Sequence, residues 1–298
     1  HTITSEAAAE WEIPATVTSD AATVTTAKGA VDTALAPPPA PEATAKTLSL
    51  TANTDILTGG TANDKFMAAS TTFNSDDILD GGEGSDEFTV AASGAASTIA
   101  NFTGIETVKV TQGAAGDYAI NMIAASGITN VTSRLSTGEV SFDNLQSMAT
   151  VTAFGVQGAA NVTAGFLNSL ASGTADSVDL VIDSGSSATF QVSGTTDTNE
   201  FETINLTSSG SAKNTVVIKD AGGNNPAGLK TYNVSGAAAL TQTLAGGASK
   251  ATFDASSATG KQTLTWGGNY TTLKTGSGDD TIDVKGATFF GSTNKKVV

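Results

Sequence analysis

The chain has 298 residues, 39% hydrophobic and only 14% charged, with 14 Lys and Arg against 29 Asp and Glu and a formal net charge of −15. That balance excludes a nucleic-acid partner, whose phosphates need clustered Lys and Arg, and makes cations the expected partners. With no cysteine there are no disulfides and no zinc–thiolate sites; a secreted protein without disulfides needs another staple, and for an acidic chain calcium is the candidate.

Residues 1–46 form the first predicted unit, an N-terminal arm with a Pro-rich linker. The opening "HTITSEAAAEW" has neither the basic nor the apolar region of a secretion leader, and a chain that starts on His reads as a processed form or a fragment. Ser19 offers an N-cap to an Ala-rich stretch, which predicts a short helix over about 20–35. A flexible arm is the alternative reading. "PPPAPE" then stops any helix and stiffens the linker.

The second unit, residues 47–298, opens on two related segments. "NTDILTGGTANDKFMA" carries Asp55 and Asp64 nine residues apart, and "SDDILDGGEGSDEFTV" carries Asp77 and Asp86 at the same step, with Ile-Leu after the first Asp in both. Gly81, Gly82, Gly84, Asp86 and Phe88 fill the fixed places of G-G-x-G-x-D-x-U-x, the nonapeptide of calcium-binding parallel β-structure. In the first copy Gly59, Gly60 and Asp64 are kept, and Ala62 replaces the third glycine. Glycines allow the turn that aims carbonyls inward. Calcium takes six to eight oxygens in flexible geometry, so a carboxylate added to such carbonyls suits it.

From residue 104 onward, short runs alternate apolar or Thr positions and end in turns. They are "GIETVKVT", "GITNVTS", "MATVTAF", "FETINLT", "LKTYNVS", "SKATFDAS" and "YTTLKTG". Their second apolar residue recurs at Val108, Val131, Val151, Ile204, Tyr232, Phe253 and Leu273, in steps of 23, 20, 53, 28, 21 and 20. The long gap holds an extra copy near "SVDLVID", residues 177–183. Periods of roughly 20 to 30 residues built from strands predict an all-β, parallel β-helix or β-roll-like solenoid. An antiparallel sandwich, with strands every 8 to 12 residues or so, is the alternative. Near the other end, "TGSGDDTIDVKG" supplies a third nonapeptide at Gly276, Gly278 and Asp280, with Thr275 in the first glycine place and Ile282 at the apolar one.

The pair "LTGGTANDKF" and "ILDGGEGSDEF", followed by "NFTGIETVKVT" and Ala/Thr/Ser/Gly-rich strands, resembles the RTX-type calcium-binding surface-layer proteins of Gram-negative bacteria such as Caulobacter. The likeness spans residues 47–285 and is motif-specific over 53–111. It implies type I secretion, an extracellular, cell-surface location and calcium in the turns. It also implies assembly of many copies into a lattice or filament. Carried onto this chain, it places calcium contacts at Gly81, Gly82, Gly84 and Asp86, with Asp77 from the preceding turn. The chain has few tandem nonapeptides, so the array it implies is short, and "GSTNKKVV" does not resemble a secretion signal.

Enzymatic machinery is not expected. The one histidine, His1, cannot build an internal Ser-His-Asp or His-metal site. Glu106 and Glu202, just ahead of predicted strands, read as register-fixing side chains rather than a glycosidase pair. Trp11, Trp266 and Tyr270 read as packing or assembly contacts before a sugar platform. No run approaches the roughly 18 to 20 apolar residues of a membrane span. The expected function is structural self-assembly, with a cell-surface polysaccharide as candidate anchor. An adhesin or carbohydrate-binding module on a similar scaffold is the alternative, and the accessory region of a secreted hydrolase a third reading.

Overall fold

A computed structural model describes residues 44–194, 200–220, 222–223, 226–245, 251–267, 270–283 and 296–297. All belong to the unit Ala43–Val298. The expected helix over 20–35, the proline linker and Trp11 lie outside them.

Alternation sets the local structure. In Thr107–Gln112 every second side chain is buried, and the same holds in Thr150–Phe154 and Thr203–Ser208, as a strand with one face on a core requires. Apart from a 3-10 turn at Asn168–Leu170, the regular elements among the described residues are strands. All pair in parallel. Each strand meets the one two or three places further along the chain, giving a 12-stranded sheet, a 9-stranded sheet and a 3-stranded sheet. This is a parallel β-solenoid: successive coils each lay one strand onto the long sheet and one onto another sheet.

The seven quoted runs and the inserted copy all lie in the long sheet, as consecutive strands from Thr107–Gln112 to Thr272–Lys274. Val108, Val131 and Val151 are register partners, and so are Ile204, Tyr232, Phe253 and Leu273. The two rows do not join directly. In Ser177–Asp183, Val151 faces Leu180 while Ile204 faces Val178, so the stack slips by one pleat inside the 53-residue interval. A shift of two residues keeps every inward side chain inward, whereas a shift of one would expose the row.

A single core of buried side chains runs from Leu50 to Leu273. Near the first coils Phe73, Phe88 and Phe102 stack with centroids 4.8 to 5.8 Å apart, a cluster worth about 0.5–1.5 kcal/mol per pair beyond area burial. Further along, Tyr232 packs edge-on against Phe253 and donates its hydroxyl to the buried Gln242 Oε1 at 2.7 Å. Tyr270 is also buried, which settles that residue as core rather than an exposed platform. Trp266 lies in the strand Gln262–Gly267.

Candidate metal centre

Two of the three nonapeptides meet in adjacent coils at the first end of the solenoid. The turn glycines stand in register on the 3-stranded sheet formed by Ile56–Gly60, Ile78–Gly82 and Asn101–Thr103. Gly60 pairs with Gly82 and Asp80 with Thr103, so Gly59, Gly81 and Gly104 form one column. On the other side of the turn the long sheet pairs Thr47 with Lys65, Lys65 with Glu87 and Glu87 with Thr107. The residues just ahead of those strands, Lys46, Asp64, Asp86 and Glu106, therefore form a second column.

Each carboxylate in this second column caps the coil before it. Asp64 Oδ1 accepts the backbone N–H of Lys46 at 2.5 Å, Asp86 Oδ1 that of Asp64 at 2.6 Å, and Glu106 Oε2 that of Asp86 at 2.7 Å. Further along, Glu202 Oε2 accepts the N–H of Asp176 at 2.9 Å. Glu106 and Glu202 thus each cap the preceding coil and help fix its register.

The second carboxylate oxygens behave differently. Asp64 Oδ2, Asp86 Oδ2 and Asp280 Oδ2 are buried, and no hydrogen-bond donor reaches any of them. An ideal Cβ on Gly59 would fall 2.4 Å from Asp64 Oδ2 and 2.1 Å from Gly81 O; on Gly81 it would fall 2.5 Å from Asp86 Oδ2 and 1.9 Å from Gly104 O. Each turn therefore presses a carboxylate oxygen and the next coil's carbonyl oxygen against the same glycine Cα. Two acceptors thus border the same glycine Cα with no donor on the carboxylate oxygen, an arrangement that costs free energy unless a cation or the carboxyl's own proton relieves it. Gly82 at φ +94° and Gly84 at φ +126°, whose added Cβ atoms would meet Gly60 O at 2.1 Å and Ala62 O at 2.7 Å, keep the backbones of neighbouring turns in close contact. Ala62 is tolerated because it supplies only its carbonyl there.

Burial raises the Asp86 carboxyl above its ordinary pKa of 3.8; the N–H of Asp64 opposes this, and the charges of Glu106, Asp64 and Asp80 add to it. A carboxylate already short of donors is thus further penalised for its charge, as at a site shaped for an ion. Among the described residues no three Asp, Glu or His side chains converge, so an ion here would take most of its oxygens from backbone carbonyls. Calcium accepts such a set, whereas zinc prefers nitrogen and sulfur ligands.

Asp55 and Asp77 stand apart from this turn, at the opposite end of the five-residue strands Ile56–Gly60 and Ile78–Gly82. Asp77 is fully buried, with Oδ1 accepting the N–H of Asp55 at 2.8 Å and Oδ2 that of Asn74 at 2.7 Å. Asp55 in turn accepts the N–H of Thr51 at 2.6 Å. Backbone amides satisfy both Asp77 oxygens, so the expected reach of Asp77 to the glycine turn is replaced by corner capping.

The third copy lies at the other end, beside the last strand of the 9-stranded sheet, Thr281–Asp283. Asp280 Oδ1 accepts the N–H of Gln262 at 2.7 Å, repeating the Asp64–Asp86 geometry, and the buried Gln262 Oε1 also lacks a donor. Gly276 lies with its added Cβ 1.8 Å from Ala258 O, and Gly278 with its own 2.9 Å from Gly260 O. Sequence reasoning missed Lys46 and Gln262, because neither occupies a fixed place of the nonapeptide and only coil stacking brings them to it. Compared with protein-family models, curated proteins and solved structures, the chain finds no match in any of the three.

Proposed function

We propose that this is a secreted structural protein whose Gly-Asp turns hold calcium and whose calcium-ordered coils assemble into an extracellular surface layer or filament. The observation that carries the calcium is the set of three buried carboxylate oxygens without donors, Asp64 Oδ2, Asp86 Oδ2 and Asp280 Oδ2, one in each nonapeptide. Asp64, Asp86, Gly59, Gly60, Gly81, Gly82 and Gly84 would hold the ions at the first end, and Asp280 with Gly276 and Gly278 an ion at the other. The architecture is compatible with assembly: a solenoid has two ends, and a repeated heterologous contact that does not close builds a sheet or filament. At a formal −15 per chain, copies repel one another, and a divalent ion both orders the turns and lowers that repulsion.

A polar groove supports the adhesin reading. It measures about 260 Å³ and is lined by Asn205, Asn233, Ser235, Asp254, Ser256 and Ser257 on the outer side of the long sheet. Both readings meet one experiment. Excess EDTA is expected to lower the melting temperature of the purified chain, because ions held only by the folded turns stabilise by mass action. Calcium added to monomer then raises light scattering, and sodium chloride at matched ionic strength does not. An unchanged melting temperature in EDTA removes structural calcium, and a chain that stays monomeric while binding glycans transfers the proposal to the adhesin.

A further inference from the structure

Three equivalent positions follow one another where the two columns meet. Gly59 O, Gly81 O and Gly104 O are the successive turn carbonyls; Lys46 Nζ donates to the first, while Asp64 Oδ2 lies with the second beside the Gly59 Cα and Asp86 Oδ2 with the third beside the Gly81 Cα. At the second and third positions the partner is a carboxylate oxygen without a donor. At the first it is an ammonium: Lys46 Nζ donates to Gly59 O and to Thr58 O. Lys46 stands in the aspartate place of the repeat, since its own N–H is capped by Asp64 as Asp64's is by Asp86. Its charge is the reverse of what that place carries in the next two coils.

We infer that Lys46 is the built-in cation of the first position, and that its ammonium closes the calcium array where the following coils need a divalent ion. The inference rests on the calcium reading of the turns. An ion needs oxygens from both neighbouring coils to approach the six to eight ligands calcium prefers, and a tethered ammonium, with three donors, satisfies the carbonyls of one coil alone. Elsewhere in the same column another lysine borders carboxylates, standing after them where Lys46 stands before them. Lys230 is in register after Asp176 and Glu202, and its Nζ donates to Thr174 O at 2.7 Å and lies 3.9 Å from Glu202. At both positions a lysine ammonium donates to a backbone carbonyl of this corner.

Two substitutions test this, with bound calcium counted by native mass spectrometry and melting followed in EDTA and in calcium. Lys46→Asp restores the acceptor pair of the next two coils. It is expected to bind one more calcium ion than the wild type, to melt below it in EDTA and to recover in calcium. Lys46→Met removes the charge and adds no ligand, so it is expected to melt lower in both buffers with the wild-type calcium count. A wild type that binds calcium alongside a Lys46→Asp chain with the same count overturns the Lys46 inference alone. A wild type that binds no calcium removes the calcium reading and this inference with it, whereas Lys46→Met then still reports what the ammonium contributes to the apo fold.

Discussion

A single glycine decides whether two coils can touch. At Gly81 an added methyl would overlap Gly104 O at 1.9 Å, whereas at Gly113 the nearest atom, Ala92 O, is 3.9 Å away and the backbone is unstrained. Gly81→Ala is therefore expected to cost at least about 2 kcal/mol in denaturant melts even without calcium, and Gly113→Ala less than about 0.5 kcal/mol either way. Asp86 adds a test by pH. Its raised pKa means that, without calcium, the folded chain keeps this proton to higher pH than the unfolded chain. Its contribution to stability is then fullest below the unfolded value of 3.8 and is lost as pH rises through the raised one. Asp86→Asn keeps an acceptor for the Asp64 N–H and removes the charge. In EDTA at pH 7 it is expected to melt at or above the wild type, and in calcium below it. A lower melting point in both buffers would mean that the carboxylate serves the fold without an ion. Asp254 has the opposite sign. Its hydrogen bond from Lys274 at 2.6 Å holds its pKa down to about 2, so that contribution is present above the unfolded value and fades as pH falls towards 2. The pair is partly exposed and is worth less than about 1 kcal/mol.

At the scale of elements, the long sheet was legible because its strands repeat one pattern, with an inward apolar residue at positions such as Val131, Tyr232 and Leu273. The 9-stranded sheet was not. Its inward residues Tyr118, Val140, Val162 and Phe190 are register partners at steps of 22, 22 and 28, a spacing that sequence reasoning missed because their strands carry no shared motif such as that of the long sheet. Side-chain ladders belong to this scale too. Asn233 Nδ2 donates to Asn205 Oδ1 at 2.9 Å, and Asn205 Nδ2 to Asp179 Oδ1 at 2.8 Å, bonds that only parallel, in-register stacking can make.

For the whole molecule, the carboxylate oxygens without donors lie towards the two ends of the stack, at Asp64 and Asp86 and at Asp280, while coils such as Thr150–Phe154 with Ala160–Phe166 close without such groups. Stability in a solenoid is close to a sum of coil and nearest-neighbour terms, so removing calcium should loosen the ends first. Hydrogen exchange is expected to quicken on chelation at the amides of residues 47–92 and 262–283, and to change little at 150–192. Uniform quickening along the chain would instead indicate that calcium acts through net charge.

The alternation of apolar residues, the period of the coils and the Gly-Asp turns were all determined by the sequence alone, because each follows from local geometry: a strand repeats every two residues, and a tight turn needs glycine. Tertiary structure decided which turn oxygens share a space. Asp55 and Asp77 repeat nine residues ahead of Asp64 and Asp86, yet stacking gives Asp77 two backbone amides and leaves Asp64 and Asp86 each with an oxygen that no donor reaches. The same stacking brings Lys46, which has no motif of its own, onto the carbonyl of Gly59. Hydrogen-bond satisfaction at the corners is set by the coil before and the coil after, separated in sequence by a whole turn of the solenoid, and no local pattern encodes it.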